Sequence, residues 1–446
     1  MLLAALIAMI GVAGLALGQI RITREDLWLS PMGLFVLSSA CLLPFSPYLE
    51  EAVGKGLIQL VGISVLAVVS LLMARQFRSD GLLSVSRVIV IELAIIAGIG
   101  VWQFIALNAL HTSFFANFSF MNSFGPVWRD PGFIGTLHRI DSINSEPAHF
   151  CQYLGISAGL VFLRTGLFGR AFAVGLRQVV PRWAMISILA GFLLSISIVG
   201  YGLAALTCLA LAFLLYRPKW GTSLKLLTLV LALVALVVHG LTVSASSDGG
   251  LLQKFQTLPL VLSSASNGID SYSSDSLSAL SLGANVAVAL KNLAYSPLFG
   301  VGIGAHPASY ADNVPAWTML SKTLYGLNAD DTGSLLVRLL SETGVVGAVL
   351  YMSGYFLVLL RARKAIQGGL LRIRAMQVNL PPELVVSVGV SASCLALFLT
   401  YLGRMGLYYA PSTWLLLALT AAVPAVVENA CIRTETLGGL VSDGQN

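Results

Sequence analysis

The sequence predicts an all-α membrane protein of about 11–12 transmembrane helices with one large helical loop between the eighth and ninth spans. Three observations carry that prediction. Apolar residues make up 57% of the 446-residue chain, charged residues only 10%, and the mean hydropathy is +0.86, which excludes a soluble domain. The charges separate apolar runs of about 20 residues, the length a helix needs to cross the hydrocarbon with every backbone group bonded internally. One long stretch, from Leu251 to about Gly347, is polar instead, and is where chemistry in water is expected.

Division at the charges gives eleven apolar runs, near 2–20, 28–44, 56–74, 88–110, 148–165, 183–199, 201–216, 224–243, 342–360, 384–403 and 408–427. The first lacks a basic segment ahead of it and reads as a retained helix rather than a signal peptide. Counted by alternate loops, 18 of the 26 Lys and Arg fall on one side and 8 on the other, so the first side is cytoplasmic. Twelve of the twenty acids lie on the opposite, outer side. The net charge of +6 is thus a basic inner rim rather than a nucleic-acid surface, and no nucleic acid is expected as a partner.

The organisation that follows has four parts. Residues 1–243 hold the first eight spans with an outer loop at 111–147, and 244–341 form the large outer loop. Residues 342–427 hold the last three spans, and 428–446 a cytoplasmic tail. The five cysteines show no paired spacing and imply neither a disulfide framework nor a metal knuckle.

The outer loop after the fourth span carries Phe114, Phe115, Phe118, Phe120, Phe124 and Trp128, suited either to an aromatic belt or to the lipid-side wall of a groove. His138, Arg139, Glu146 and His149 follow. Pro147 places Glu146 at a helix amino terminus, as a cap or as an acid converging with Arg139 and His149. Within the membrane the clear acid is Glu92, near enough to Arg87 to pair with it, or else functional.

In the large loop, residues 277–294 place Leu280, Ala284, Ala287 or Val288, and Lys291 at helical spacing, with Leu282, Val286, Leu290 and Leu293 on a broad apolar face, which predicts an amphipathic helix on the membrane or on the bundle, ended by Pro297. Gly300, Gly302 and Gly304 then alternate ahead of His306 and Tyr310. The spacing fits neither a dinucleotide fingerprint nor a P-loop. It serves either a tight turn or the approach of backbone amides to an anion such as a diphosphate.

Asp330 or Asp331 is expected to cap a helix starting at Thr332 and running straight into the ninth span. On it Asp331, Ser334, Arg338, Ser341 and Glu342 share one stripe, with Arg338 and Glu342 one turn apart, as a structural ion pair or as part of an active site. Arg404 lies at the outer turn between the last two spans beside Tyr401, Tyr408 and Tyr409, where guanidinium and aromatics suit sugar stacking or the membrane interface.

Three stretches together, Arg139 to Pro147, PLFGVGIG (Pro297 to Gly304) and SETGVVG (Ser341 to Gly347), resemble the bacterial O-antigen polymerase and ligase family. About 75 residues share the resemblance closely, along with the layout of many spans and one late outer loop. It implies a GT-C-like membrane glycosyltransferase in the bacterial inner membrane, with its large loop periplasmic. Its substrates would be polyprenyl-diphosphate-linked glycans, and its partners the lipid bilayer and a regulator of chain length. Where the ligases have a His-Asn pair ahead of the E-x-G, this chain has Gly333 and Ser334, which favours a polymerase of lipid-linked repeat units over a ligase.

A leaving diphosphate needs fixed cations, for which Arg139, Arg338 and Arg404 are the candidates. An attacking sugar hydroxyl needs a base, for which Glu146, His149, His306 and Glu342 are the candidates. The catalytic set is therefore Glu146, Arg338, Glu342 and His306. Arg139, His149, Tyr310, Asp331, Arg404 and Tyr408 are the substrate-binding set. Asp330 and Asp331 point apart as neighbours, so no metal or other cofactor is expected. A transporter of the lipid-linked sugar is the alternative from another class.

Overall fold

The computed structural model describes residues 26, 28–77, 81–112, 133–134, 137–138, 140, 142, 147–216, 277–320, 325–405 and 407–443. The predicted spans 2–20 and 224–243, and the side chains of His138, Arg139 and Glu146, lie outside the described residues. The described chain is almost wholly helical. Its helices are α1 (Leu29–Leu42), α2 (Leu49–Gln76), α3 (Leu82–Asn108), α4 (Pro147–Leu154), α5 (Ala158–Arg164), α6 (Arg170–Gly175) and α7 (Arg182–Leu194). They continue with α8 (Ile198–Leu215), α9 (Leu277–Tyr295), α10 (His306–Asn313), α11 (Leu335–Met376), α12 (Pro382–Gly403) and α13 (Pro411–Asp443). A two-residue antiparallel ladder, Phe133–Ile134 with Leu137–His138, is the extended structure among the described residues.

Six of these helices are long and apolar enough to cross a membrane, among the described residues: α2, α3, α8, α11, α12 and α13 over Pro411–Thr436. The protein is a multi-pass membrane protein. The run at 28–44 is a shorter apolar helix, α1, extended by a 3-10 turn at Leu43–Phe45, and the run at 183–199 is the short α7. The run at 148–165 is broken into α4, a 3-10 turn at Gly155–Ser157 and α5. Glycines in this stretch admit close neighbours: a Cβ on Gly155 would lie 2.5 Å from the Leu203 side chain, and one on Gly159 would overlap the carbonyl of Gly389.

The chain divides into two compact units, the first comprising Met1–Leu72, Gly249–Val358 and Leu399–Trp414, the second Met73–Asp248, Leu359–Phe398 and Leu415–Asn446. In the second, α12 is the most enclosed span, its apolar window 89% buried. Its buried polar residues Ser387, Ser391 and Ser393 are small, which lets α5 approach so closely that the Gly159 amide donates to Ser393 Oγ at 2.9 Å. His149, on α4, belongs to this unit and is half-buried.

The first unit holds the start of α11, and here the structure departs from the sequence expectation twice. The helix begins at Leu335, not Thr332, because Asn328, Thr332 and Gly333 have left-handed backbones (φ 58°, 60° and 64°). The cap is Ser334, whose Oγ accepts from the Val337 amide at 3.3 Å. Asp331 instead closes a local turn by accepting from the Gly333 amide at 3.0 Å. Nor does α11 run straight, since Gly344, with φ 62° and ψ −165°, breaks it.

Candidate functional site

The break in α11 is filled by the glycine loop. The amides of Val345 and Val346 donate to the carbonyls of Pro297 (3.0 Å) and Leu298 (3.1 Å), and those of Val301 and Gly302 donate to Ser341 (3.0 Å) and Glu342 (2.9 Å). Backbone groups that a broken helix would leave unpaired in a low-dielectric setting are thereby satisfied. Two glycines make this fit possible. A Cβ on Gly344 would overlap the backbone of Leu298 and Phe299, and one on Gly300 would lie 2.6 Å from Ser341 O, with both residues at positive φ.

This geometry favours the turn for the first part of the glycine stretch. The amides of Gly300, Val301 and Gly302 are all taken, by Ser296, Ser341 and Glu342. Residues Gly300–Gly302 therefore form a docking turn, with their amides closed to an anion. Ser46 reinforces it by donating to the Val301 carbonyl at 2.5 Å.

Around the docked loop lie two buried polar clusters. The first is charged. Arg338 Nε donates to Glu342 Oε1 at 3.3 Å, Tyr408 donates to Glu342 Oε2 at 2.9 Å, and the Arg338 guanidinium sits 4.9 Å from the centroid of the Tyr408 ring. Arg338 is 3% exposed, Glu342 and Tyr408 are each 0% exposed. Burial, followed by the Glu342 carboxylate, pushes the Tyr408 phenol well above its ordinary value, so it stays a donor.

An aromatic wall fixes Tyr408. Its carbonyl accepts from the Tyr351 hydroxyl at 2.8 Å and from Trp414 Nε1 at 2.9 Å, and Phe35 meets Tyr351 edge to face with centroids 5.3 Å apart. A cleft lined by Ser38, Ser39, Phe299, Glu342 and Thr343, among others, opens beside this cluster.

The second cluster is neutral and joins α9, α10 and α11. His306 Nε2 lies 2.9 Å from Asn285 Oδ1, and Nδ1 lies 2.7 Å from Ser341 Oγ. Asn285 Nδ2 donates to the carbonyls of Ser281 (2.8 Å) and Leu327 (3.4 Å), so Oδ1 is the acceptor and His306 Nε2 carries the proton. Nδ1 then accepts from Ser341. Ser341 in turn accepts from Asn292 Nδ2 at 2.8 Å, and Asn292 Oδ1 accepts from Ser309 Oγ at 2.6 Å.

Every bond in this chain has one direction, and both ring nitrogens of His306 are engaged. Burial, with Arg338 adding to it, depresses the imidazole from 6.5 to about 3. His306 is neutral at ordinary pH and its basic lone pair is occupied, which makes it a positioning residue as it stands.

Asn285, Asn292 and Ser309 were not singled out from sequence, although Ser281, Asn285 and Asn292 repeat at helical spacing within the apolar run. The structure buries that stripe with Leu280, Ala284 and Val288, while Leu290 is 61% exposed. Of the two rows expected on α9, the one through Leu280, Ala284 and Val288 is the buried one. A regular line of Asn and Ser was the signal; four leucines and valines outweighed it.

The remaining candidates divide as follows. Tyr310 is buried against Tyr325, with centroids 6.4 Å apart, and burial raises its phenol above the ordinary value. Asp331 and Arg404 lie together at the segment before α11: Met405 donates through its amide to the Gly333 carbonyl at 2.9 Å, and Ser334 donates to the Leu402 carbonyl at 2.7 Å. Arg404 Nη1 would be 3.7 Å from a Cβ on Gly333. The neighbouring Asp330 pairs with Lys55 at 2.9 Å on the exposed surface. Arg139 and Glu146 lie outside the described residues. No family model matches the chain, and no curated protein matches it either.

Proposed function

We propose that this chain is a GT-C-like glycosyltransferase of the bacterial inner membrane that joins polyprenyl-diphosphate-linked oligosaccharide repeat units into a surface polysaccharide such as O-antigen. One observation supports it above others. The two segments PLFGVGIG and SETGVVG, which carry most of the resemblance to O-antigen polymerases and ligases, are bonded to each other across the break in α11, directly beside the buried Arg338–Glu342–Tyr408 cluster. Ionisable groups held inside a membrane protein are costly and are functional candidates by default.

In this reading the donor sugar arrives already activated by its lipid diphosphate, since nucleotide sugars are absent outside the cytoplasm. Departure of the diphosphate builds negative charge, and in this reading Arg338 and Arg404 supply the cations that stabilise it. Glu342, an acid held between a guanidinium and a phenol, is the base for the attacking hydroxyl. His306 and Ser341 hold the helix turn that carries it. The large loop is periplasmic in this reading.

The test is reconstitution of the purified chain with lipid-linked repeat units. Lengthened, carrier-linked glycan is expected from the wild type. Arg338→Ala is expected to lower the rate by about a hundredfold or more, the scale of a lost transition-state electrostatic contact. Transfer of finished glycan to a lipid acceptor without lengthening would identify a ligase. Translocation across vesicles with no new glycosidic bond would identify a transporter and end the enzymatic reading.

A further inference from the structure

We propose that the loop Ser296–Gly302 is a re-entrant element whose Leu298 and Phe299 side chains sit among the acyl chains of the bilayer, beside the break in α11. Its depth follows from the helix to which it is bonded. Between Glu342 and Arg361, α11 carries 18 uncharged residues, 343–360, which at 1.5 Å per residue cover about 27 Å, close to the hydrocarbon thickness of about 30 Å. Thr343 therefore marks one edge of the hydrocarbon. Val345 and Val346, whose amides donate to Pro297 and Leu298, lie inside that edge and bring the loop with them.

The surface agrees with this depth. Val345 and Val349 are 46% and 52% exposed on a spanning helix, so that face of α11 meets lipid. Leu298, whose carbonyl is bonded to α11, and Phe299 next to it are 54% and 44% exposed and continue the same apolar face. Non-helical backbone is tolerated at membrane depth where protein satisfies its polar groups, and the groups of this loop that face α11 and Ser46 are satisfied in that way. Pro297 brings no N–H, and its carbonyl and that of Leu298 accept from α11. The amides of Gly300, Val301 and Gly302 are bonded, and Ser46 covers the Val301 carbonyl.

The occupant of this face is lipid rather than a second protein surface, because the face is continuous with that of a spanning helix. The inference stands whether or not the chain transfers sugars. It changes the character of the late loop: a stretch that is polar overall contains a segment belonging to the hydrocarbon.

The experiment uses the full chain in phospholipid nanodiscs with p-benzoylphenylalanine replacing Phe299, and in parallel variants Leu298, Val349 or Tyr325. Tyr325, 47% exposed in the turn preceding α11, is the reference outside the spans, and Val349 is the lipid-facing reference. After irradiation, mass spectrometry reads phospholipid adducts on the chain. Adduct yield at Phe299 or Leu298 is expected to match Val349 and to exceed Tyr325 by about fivefold or more, since only hydrocarbon-level positions meet acyl C–H bonds. Covalent dimers of the chain in place of lipid adducts would overturn the proposal. So would yields at both positions no higher than at Tyr325.

Discussion

Ser341 and Glu342 are adjacent in sequence, yet each heads a different polar cluster. Ser341 belongs to a neutral network in which hydroxyls, carboxamides and one imidazole are each paired in a single direction, from Ser309 through Asn292 and Ser341 to His306 and Asn285. Glu342 belongs to a charged one, with Arg338 on one oxygen and Tyr408 on the other. A fully paired neutral network rigidifies at modest cost. A buried ion pair does not repay its desolvation as well as apolar packing of the same volume would. The first cluster is therefore explained by architecture alone, while the second invites a chemical reason for its charges.

The sharpest way to break that comparison is to treat the charges singly and together. Glu342→Leu leaves the Arg338 guanidinium buried without its carboxylate and should destabilise the protein by roughly 3–5 kcal/mol. Arg338→Met combined with Glu342→Leu removes both charges and should restore most of the lost stability, read as the melting temperature in detergent. The double variant should nevertheless make no lengthened glycan. Full activity in it would reduce the charged cluster to a structural pair.

A smaller effect is expected from the neutral cluster, through pH. The folded value for His306, about 3, lies below its ordinary 6.5, so between these values the unfolded chain binds a proton that the folded chain does not. Stability from this residue is then complete above about pH 6.5. It is lost as the pH falls, with a slope approaching about 1.4 kcal/mol per pH unit. His306→Asn should flatten that acid slope in melting curves between pH 7.5 and 4.5. An unchanged slope would mean that His306 does not titrate as its burial implies.

The smallest effect is reserved for the exposed counterpart of the Arg338–Glu342 pair. Lys55 and Asp330 are bonded at 2.9 Å, but their side chains are 51% and 86% exposed. Lys55→Met should cost about 1 kcal/mol or less, and less still in high salt. A loss comparable to that of Glu342→Leu would erase the distinction between buried and surface charge on which the comparison depends.

Different parts of this molecule were legible in the sequence to different degrees. Apolar length marks the spans, and each described run lies on a helix or a series of short helices, because a bilayer leaves the backbone no other option. The Arg338–Glu342 pairing follows from a spacing of four on a helix. The start of α11 did not follow from its acids. Left-handed turns at Asn328 and Thr332 move it to Leu335, and Ser334 caps it while bonding to the Leu402 carbonyl, a partner 68 residues away. The polar members of the buried stripe of α9 were hidden for a related reason. Asn285 and Asn292 are polar, and polarity indicates burial only once partners such as His306 and Ser309 are in place.

By itself, the sequence determined that this is a multi-pass membrane protein, where several of its spans fall, and that Arg338 and Glu342 lie one helical turn apart, because hydrophobicity and helical period are local quantities. The tertiary structure decided what the glycines are for. Alternating Gly300, Gly302 and Gly304 are compatible with an anion cradle, with a bend, or with packing. The break at Gly344, about forty residues later, supplies the carbonyls and amides against which Gly300 docks, whereas Gly302 closes on Ser46 and Gly304 on the backbone of Gly56. Close backbone approach is a property of two segments, and neither segment records its partner.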